Sequence, residues 1–417
     1  MEILMLAVFA LILLVQYKIN NRRVLCAFLL IMGPYVAITL LNNTVGVAYD
    51  FYSIDDTVIG YITVFMCIFY LGSLAGRRLT MHRRLVPGGL AGVDEQSHSI
   101  NLKWVCLFVF AVCLLRTAQL GVRFLQNGLS AMMADDFALF QMDGIVGHLM
   151  IWIKPLCAIL FYEWMKQKRK IVYLLLVGFA GGLLASSFIK YHIITFVLLL
   201  YIYCCLKDHR YFFKLGVGVL ILIFAVFILN YLISFVLRSM EVDSSFYLLH
   251  LWKYIAGGTI NMQAVLSGPD SITLTVGQWL YDFFMPIPRM LLKGLTGVED
   301  EINLFNPDML AVGFNGEESN VVATLGYMLC QSSTLFAVAI VFLWGAVSEG
   351  VFYLSRAKTS DAVKSFAAVF FAYNTLSFFS SFFRLSGPWE ELIMAFAIVW
   401  IFSYHKRTVN VPSVSPL

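Results

Sequence analysis

Five cations sit where apolar sequence should exclude them: Arg116, Lys154, Lys190, Arg238 and Arg384 each lie within or at the end of a hydrophobic run. A charged side chain costs about 2.5–3.5 kcal/mol at the centre of a bilayer, and less near the interface, where a long stem lets it snorkel. Such residues line a cavity or meet an anion. Lys154 is the sharpest case, because Pro155 follows it and distorts the helix that carries it. Two more cations, Arg289 and Lys293, follow the run Pro286-Ile287-Pro288. Lys154, Lys190 and Arg289 are expected to share an anion site suited to a lipid-linked phosphate or pyrophosphate. For Arg238 and Arg384, snorkelling to lipid phosphates explains the charge equally well. His192, two residues after Lys190, is a candidate general base beside many carboxylates, although a lone histidine is more often structural.

The elements that must position these residues are membrane spans. Hydrophobic residues make up 60% of the 417 and charged residues 13%, with a mean hydropathy of +0.82. That is too little polar surface for a soluble globule, so the sequence predicts an all-α polytopic membrane protein. On a criterion of about 20 apolar residues per span, eleven transmembrane helices are expected: 1–17, 24–41, 57–76, 104–120, 145–165, 171–187, 190–206, 215–237, 328–354, 362–383 and 389–404. They form an N-terminal bundle, 1–237, and a C-terminal bundle, 328–417, around a large loop, 238–327. Alternate loops hold 20 of the 29 Lys and Arg residues. The positive-inside rule makes those loops cytoplasmic, which puts the N-terminus and the large loop outside and the C-terminus inside. The net charge of +4 therefore reports topology, and no nucleic-acid partner is implied. The apolar N-terminus lacks a preceding basic region and reads as a retained span.

Eight cysteines lie mostly in apolar runs without metal-ligand spacing, so neither a zinc site nor a disulfide framework is expected. Gly178, Gly181 and Gly182 predict close helix packing. Residues 77–103 read as a flexible connector. Within the large loop, two short amphipathic helices are expected along the membrane surface: one from Phe246 to a stop at Gly257-Gly258, the other from Val276 to Met285, closed by Pro286. Trp252, Tyr254, Trp279 and Tyr281 would lie in the headgroup zone.

The large loop with Tyr254-Ile255-Ala256-Gly257-Gly258, Pro286-Ile287-Pro288-Arg289 and Lys293, then Asn320-Val321-Val322-Ala323-Thr324, resembles the Wzy-type polymerases of bacterial O-antigen and capsule repeat units. So does the turn Ser186-Ser187-Phe188-Ile189-Lys190 between two spans, although relatives commonly carry arginine there. Lysine keeps the charge but lacks the bidentate fork. The resemblance implies a metal-independent, cofactor-free glycosyltransferase of the bacterial inner membrane. Its substrates would be undecaprenyl-pyrophosphate-linked oligosaccharides, joined on the periplasmic side, with membrane lipids and a chain-length regulator protein as partners. Arg289, Lys190 and Arg238 would stabilise the leaving pyrophosphate, with His192 or a carboxylate as base. Lys154, Lys293, Arg384, Trp252, Tyr254, Trp279 and Tyr281 would bind substrate, the aromatic rings stacking on sugar faces. A flippase for the same lipids and an O-antigen ligase are the alternatives. A flippase would show paired repeats and would have no evident use for the large loop.

Overall fold

The computed structural model describes residues 1–85, 98–133, 142, 144–167, 170–187, 189–237, 244–267, 273–289, 305, 309–331, 333–356 and 360–405. Arg238 and Lys293 lie outside them. The N-terminal bundle contains α1 (Glu2–Ile19), α2 (Ala27–Leu41), α3 (Asp56–Leu85), α4 (Leu102–Met133), α5 (Gly144–Trp152), α6 (Lys154–Gln167), α7 (Ile171–Ala185), α8 (Lys190–Lys207) and α9 (Tyr211–Leu237). The large loop holds α10 (Ser244–Ser267), α11 (Val276–Phe284) and α12 (Thr324–Leu329). After it come α13 (Thr334–Arg356), α14 (Asp361–Thr375) and α15 (Ser386–Phe402).

Eight helical segments among the described residues are long and apolar enough to cross a membrane, α5 and α6 counting as one. The protein is thus helical and membrane-embedded. The other three expected spans coincide with shorter helices: α7 and α14 have 15 residues each and α15 has 17. The span expected from 328 instead begins at Thr334, because α12 forms a separate turn of helix before it.

The expected span 362–383 is broken. Its helix stops at Thr375, and residues 376–385 form irregular backbone closed by a 3-10 turn, Phe382–Arg384. Such backbone survives beside a bilayer only if protein groups take over its hydrogen bonds. Here they do. The Ser377 carbonyl accepts from the Tyr35 hydroxyl of α2 at 2.7 Å and from the Thr324 amide at 2.7 Å. The Phe378 carbonyl accepts from Thr259 Oγ1 at 3.3 Å, and the Ser380 carbonyl from Thr324 Oγ1 at 3.2 Å.

The extensive crossing of α3 and α13 is made by glycines that sequence reading passed over. A Cβ on Gly72 would stand 2.0 Å from the Phe342 carbonyl oxygen, one on Gly76 2.1 Å from that of Ala346, and one on Gly345 2.1 Å from that of Phe69. Backbone cannot rotate away as a side chain can, so the helices would have to separate. Of the glycines expected to pack closely, only Gly181 meets a neighbour, the Phe196 ring; Gly178 and Gly182 have nothing within 4 Å. Those two were read by type, and the helix turns them away from any partner. Gly76→Ala should therefore cost about 1–3 kcal/mol, whereas Gly178→Ala should cost nothing; thermal unfolding in detergent checks both.

The large loop is docked on the bundle. The expected helix stop at Gly257-Gly258 is corrected, since α10 runs straight through both to Ser267. Its glycines serve close approach: a Cβ on Gly258 would lie 2.1 Å from the Phe379 carbonyl oxygen. Nor does its second half lie on a membrane surface, as Ala256, Thr259, Ile260, Asn261 and Met262 are all buried. A short hairpin, β2 (Leu310–Ala311) with β3 (Glu318–Ser319), is held by Asn261, whose Nδ2 donates to the carbonyls of Ser319 and Val321 at 2.9 and 2.8 Å. The Tyr52 amide donates to the Val312 carbonyl at 3.0 Å, fixing this hairpin against the segment after α2. Far from it, β1 (His98–Ile100) pairs antiparallel with β4 (Ser403–His405).

Candidate functional site

The polar side chains gather around the 376–385 turn, at the end of the bundle where α8 and α15 begin and α14 ends. The Phe382 ring lies 6.0 Å from Tyr191 of α8 and 5.7 Å from Tyr373 of α14. One cationic centre lies in this turn and two lie on the helices beside it.

The first is Lys154. The helix is interrupted at Ile153, between α5 and α6, where Pro155 has no amide to continue the ladder. Lys154 is fully buried, and its Nζ lies 2.8 Å from Glu391 Oε2 on α15, itself 2% exposed. The Tyr373 hydroxyl donates to the same carboxylate oxygen at 2.7 Å, and Lys154 Nζ donates to Thr195 Oγ1 at 3.4 Å. A buried charge is tolerated when paired and hydrogen-bonded, and here the partner is supplied by the protein. His192 is buried one turn before Thr195, and its Nδ1 has no hydrogen-bond partner among the described residues.

The second is Arg384. Its Nε donates to Asp282 Oδ2 of α11 at 2.7 Å, and a terminal nitrogen donates to the Phe305 carbonyl. The guanidinium lies 4.6 Å from the Phe305 ring centroid and 4.8 Å from that of Tyr327. Tyr327 also donates its hydroxyl to Asp282 Oδ2 at 2.9 Å. Burial, reinforced by the Asp282 charge, raises the Tyr327 phenol pKa, so it stays protonated. Arg384 is thus held by α11 and α12 of the large loop, which is a tighter placement than snorkelling.

The third is Lys190, the first residue of α8. Its Nζ lies 4.8 Å from the ring centroid of Tyr254 on α10 and 5.6 Å from that of Phe227 on α9, a cation–π cradle. Tyr254 in turn stacks on Phe379 of the turn at 5.5 Å. His250, one helical turn before Tyr254, is pushed down to about 4 by burial and by the charges of Lys190 and Lys253. Its imidazole is therefore neutral at physiological pH.

Beside these, Glu390 Oε1 accepts from Trp152 Nε1 at 2.7 Å and lies 2.7 Å from His148 Nδ1. The Arg289 guanidinium lies 5.9 Å from the Tyr281 ring, and Tyr281 is 41% exposed. Trp252 donates Nε1 to Asn42 Oδ1 at 3.0 Å. The headgroup placement of Trp279 is corrected: it is 1% exposed, donates Nε1 to the Tyr327 carbonyl at 3.0 Å and stacks on Phe283 at 5.1 Å. Its ring sits on the inner face of α11, so it supports Tyr327 and offers no face to a sugar.

Five of the sequence candidates, Lys154, Lys190, His192, Tyr254 and Arg384, are gathered around one turn. Glu391 and Tyr373 were missed. Glu391 follows Glu390 in an otherwise apolar run, and a carboxylate there needs a cation as much as Lys154 needs an anion. No family model, curated protein or solved structure matches the chain.

Proposed function

We propose that the protein polymerises undecaprenyl-pyrophosphate-linked oligosaccharide units on the outer face of the bacterial inner membrane, with the turn after α14 as the floor of its site. The observation that supports this reading best is the placement of Lys190 and Arg384, two cations cradled by aromatic rings, between the spans and the helices of the large loop. In the reaction the anomeric C–O bond of the donor breaks, and its electron pair leaves with the lipid pyrophosphate. The acceptor hydroxyl forms the new glycosidic bond and gives up its proton. Fixed cations stabilise the leaving pyrophosphate, and Lys190 and Arg289 serve in that role, with Arg238 and Lys293 as further donors from the large loop. His192 or a carboxylate takes the proton. Arg384, tied to Asp282, orients the loop helices over the site, and the pair Lys154–Glu391 fixes the start of α6 against α15.

Lys190→Ala and Arg289→Ala should each abolish long polymer in a complemented deletion strain, leaving single capped units while the protein stays inserted and abundant. Surface-polysaccharide ladders on gels, with membrane immunoblots, read this directly. Near-normal chain length in both variants would remove the anion-site reading. Loss of all attached antigen in the deletion strain would favour a ligase, and translocation without lengthening in liposomes a flippase.

A further inference from the structure

At the opposite end of the bundle, where α1, α3 and α13 terminate, the helices line an open polar cavity of about 200 Å³. That is far more than the ~10–15 Å³ needed to admit one water. Asn20, Arg23, Arg77, Glu349, Tyr353 and Arg356 are among its walls. Three guanidiniums thus face one carboxylate. Arg77 is fixed in place: Nη1 donates to Asn20 Oδ1 at 2.8 Å and Nη2 to the Ile19 carbonyl at 2.9 Å. Its buried Nε, however, has no partner among the described residues. Neither has Oε2 of Glu349, a residue only 1% exposed. Buried polar groups are normally satisfied, and an unpaired donor and an unpaired acceptor on two residues that line this cavity, together with its three guanidiniums, suit a ligand that presents both kinds of group. A second cavity of about 160 Å³ shares Arg23 and Arg356 and adds Lys207, Asp208 and His209, which extends the basic surface. Lys207 is itself paired with Asp361.

We propose that this cavity binds a phosphate ester, in the form of an anionic phospholipid headgroup. Arg23, Arg77 and Arg356 take the phosphate, and Glu349 accepts from a headgroup hydroxyl. The lipid source is favoured because the walls are the ends of membrane-spanning helices, the level at which basic pockets between spans meet headgroups. Choline lipids lack both the net charge and the hydroxyl.

The test is thermal unfolding of the full-length protein in micelles doped with phosphatidylglycerol, phosphatidylcholine or, separately, inorganic phosphate. Phosphatidylglycerol should raise the Tm of the wild type by a few degrees through preferential binding to the folded state. It should do nothing for Arg23→Gln/Arg356→Gln, and phosphatidylcholine should do nothing for either. A rise with inorganic phosphate that the double variant loses would keep the phosphate site and assign it to a soluble ligand. An equal phosphatidylglycerol effect in both proteins, or none in the wild type, would overturn the proposal. Should the double variant not fold, native mass spectrometry of the wild type decides. Selective retention of phosphatidylglycerol through delipidation supports the site, and equal retention of phosphatidylcholine overturns it.

Discussion

Lys154→Met and Glu391→Leu, made singly, should each lower stability by about 3–5 kcal/mol, because each strands the other's charge in a dry interior. Combined, they should recover most of that loss. The carboxylate of Glu391 and the ammonium of Lys154 are 2.8 Å apart, and neither has meaningful access to water. An exposed pair would be worth less than about 1 kcal/mol, so the size of the single-variant effects reports burial directly. Recovery in the double variant will be incomplete, since the Tyr373 hydroxyl also loses its acceptor, at a cost of about 1–3 kcal/mol. A double-mutant cycle by denaturant or thermal unfolding measures the coupling. Additive losses would mean that the two groups do not depend on each other.

Gly258→Ala should reduce both stability and polymer formation, whereas Gly277→Ala, with nothing within 4 Å of its Cβ position, should leave both unchanged. At Gly258 the methyl would meet the Phe379 carbonyl oxygen at 2.1 Å and that of Phe378 at 2.8 Å. Either α10 or the 376–385 turn must then retreat. The turn holds Phe379 against Tyr254, and Tyr254 holds Lys190, so the displacement reaches the cation one contact later. Overpacking of this kind costs about 1–3 kcal/mol. Full activity alongside lowered stability would separate the packing role from the site and show that Lys190 does not depend on the turn.

What could be read from the sequence follows from how local each signal is. Apolar runs announce helices, because span length and hydrophobicity are properties of one segment. The anomalous cations Lys154, Lys190 and Arg384 were visible for the same reason: each is a charge out of place in its own run. Their partners were not. Glu391 lies 237 residues from Lys154, and Asp282 lies 102 from Arg384, and nothing in either neighbourhood specifies the other. Gly257-Gly258 misled because glycine marks a helix end and a close helix contact alike, and only the neighbouring backbone decides which. Trp279 misled because an amphipathic helix shows which residues share a face, while the partner of that face comes from tertiary structure.

Tyr35 has a bearing on how the protein is made. Its hydroxyl, on the second helix to leave the ribosome, donates to a carbonyl 342 residues further along. It also accepts from the Leu325 amide at 3.3 Å. At about 5–20 residues per second, those 342 residues take roughly 20–70 s to synthesise. For that interval α2 is in the membrane with a buried hydroxyl awaiting its acceptor. Biogenesis is therefore expected to pass through a long-lived, incompletely packed intermediate, and nascent chains stalled before residue 377 should be markedly more sensitive to membrane proteases than chains released after it.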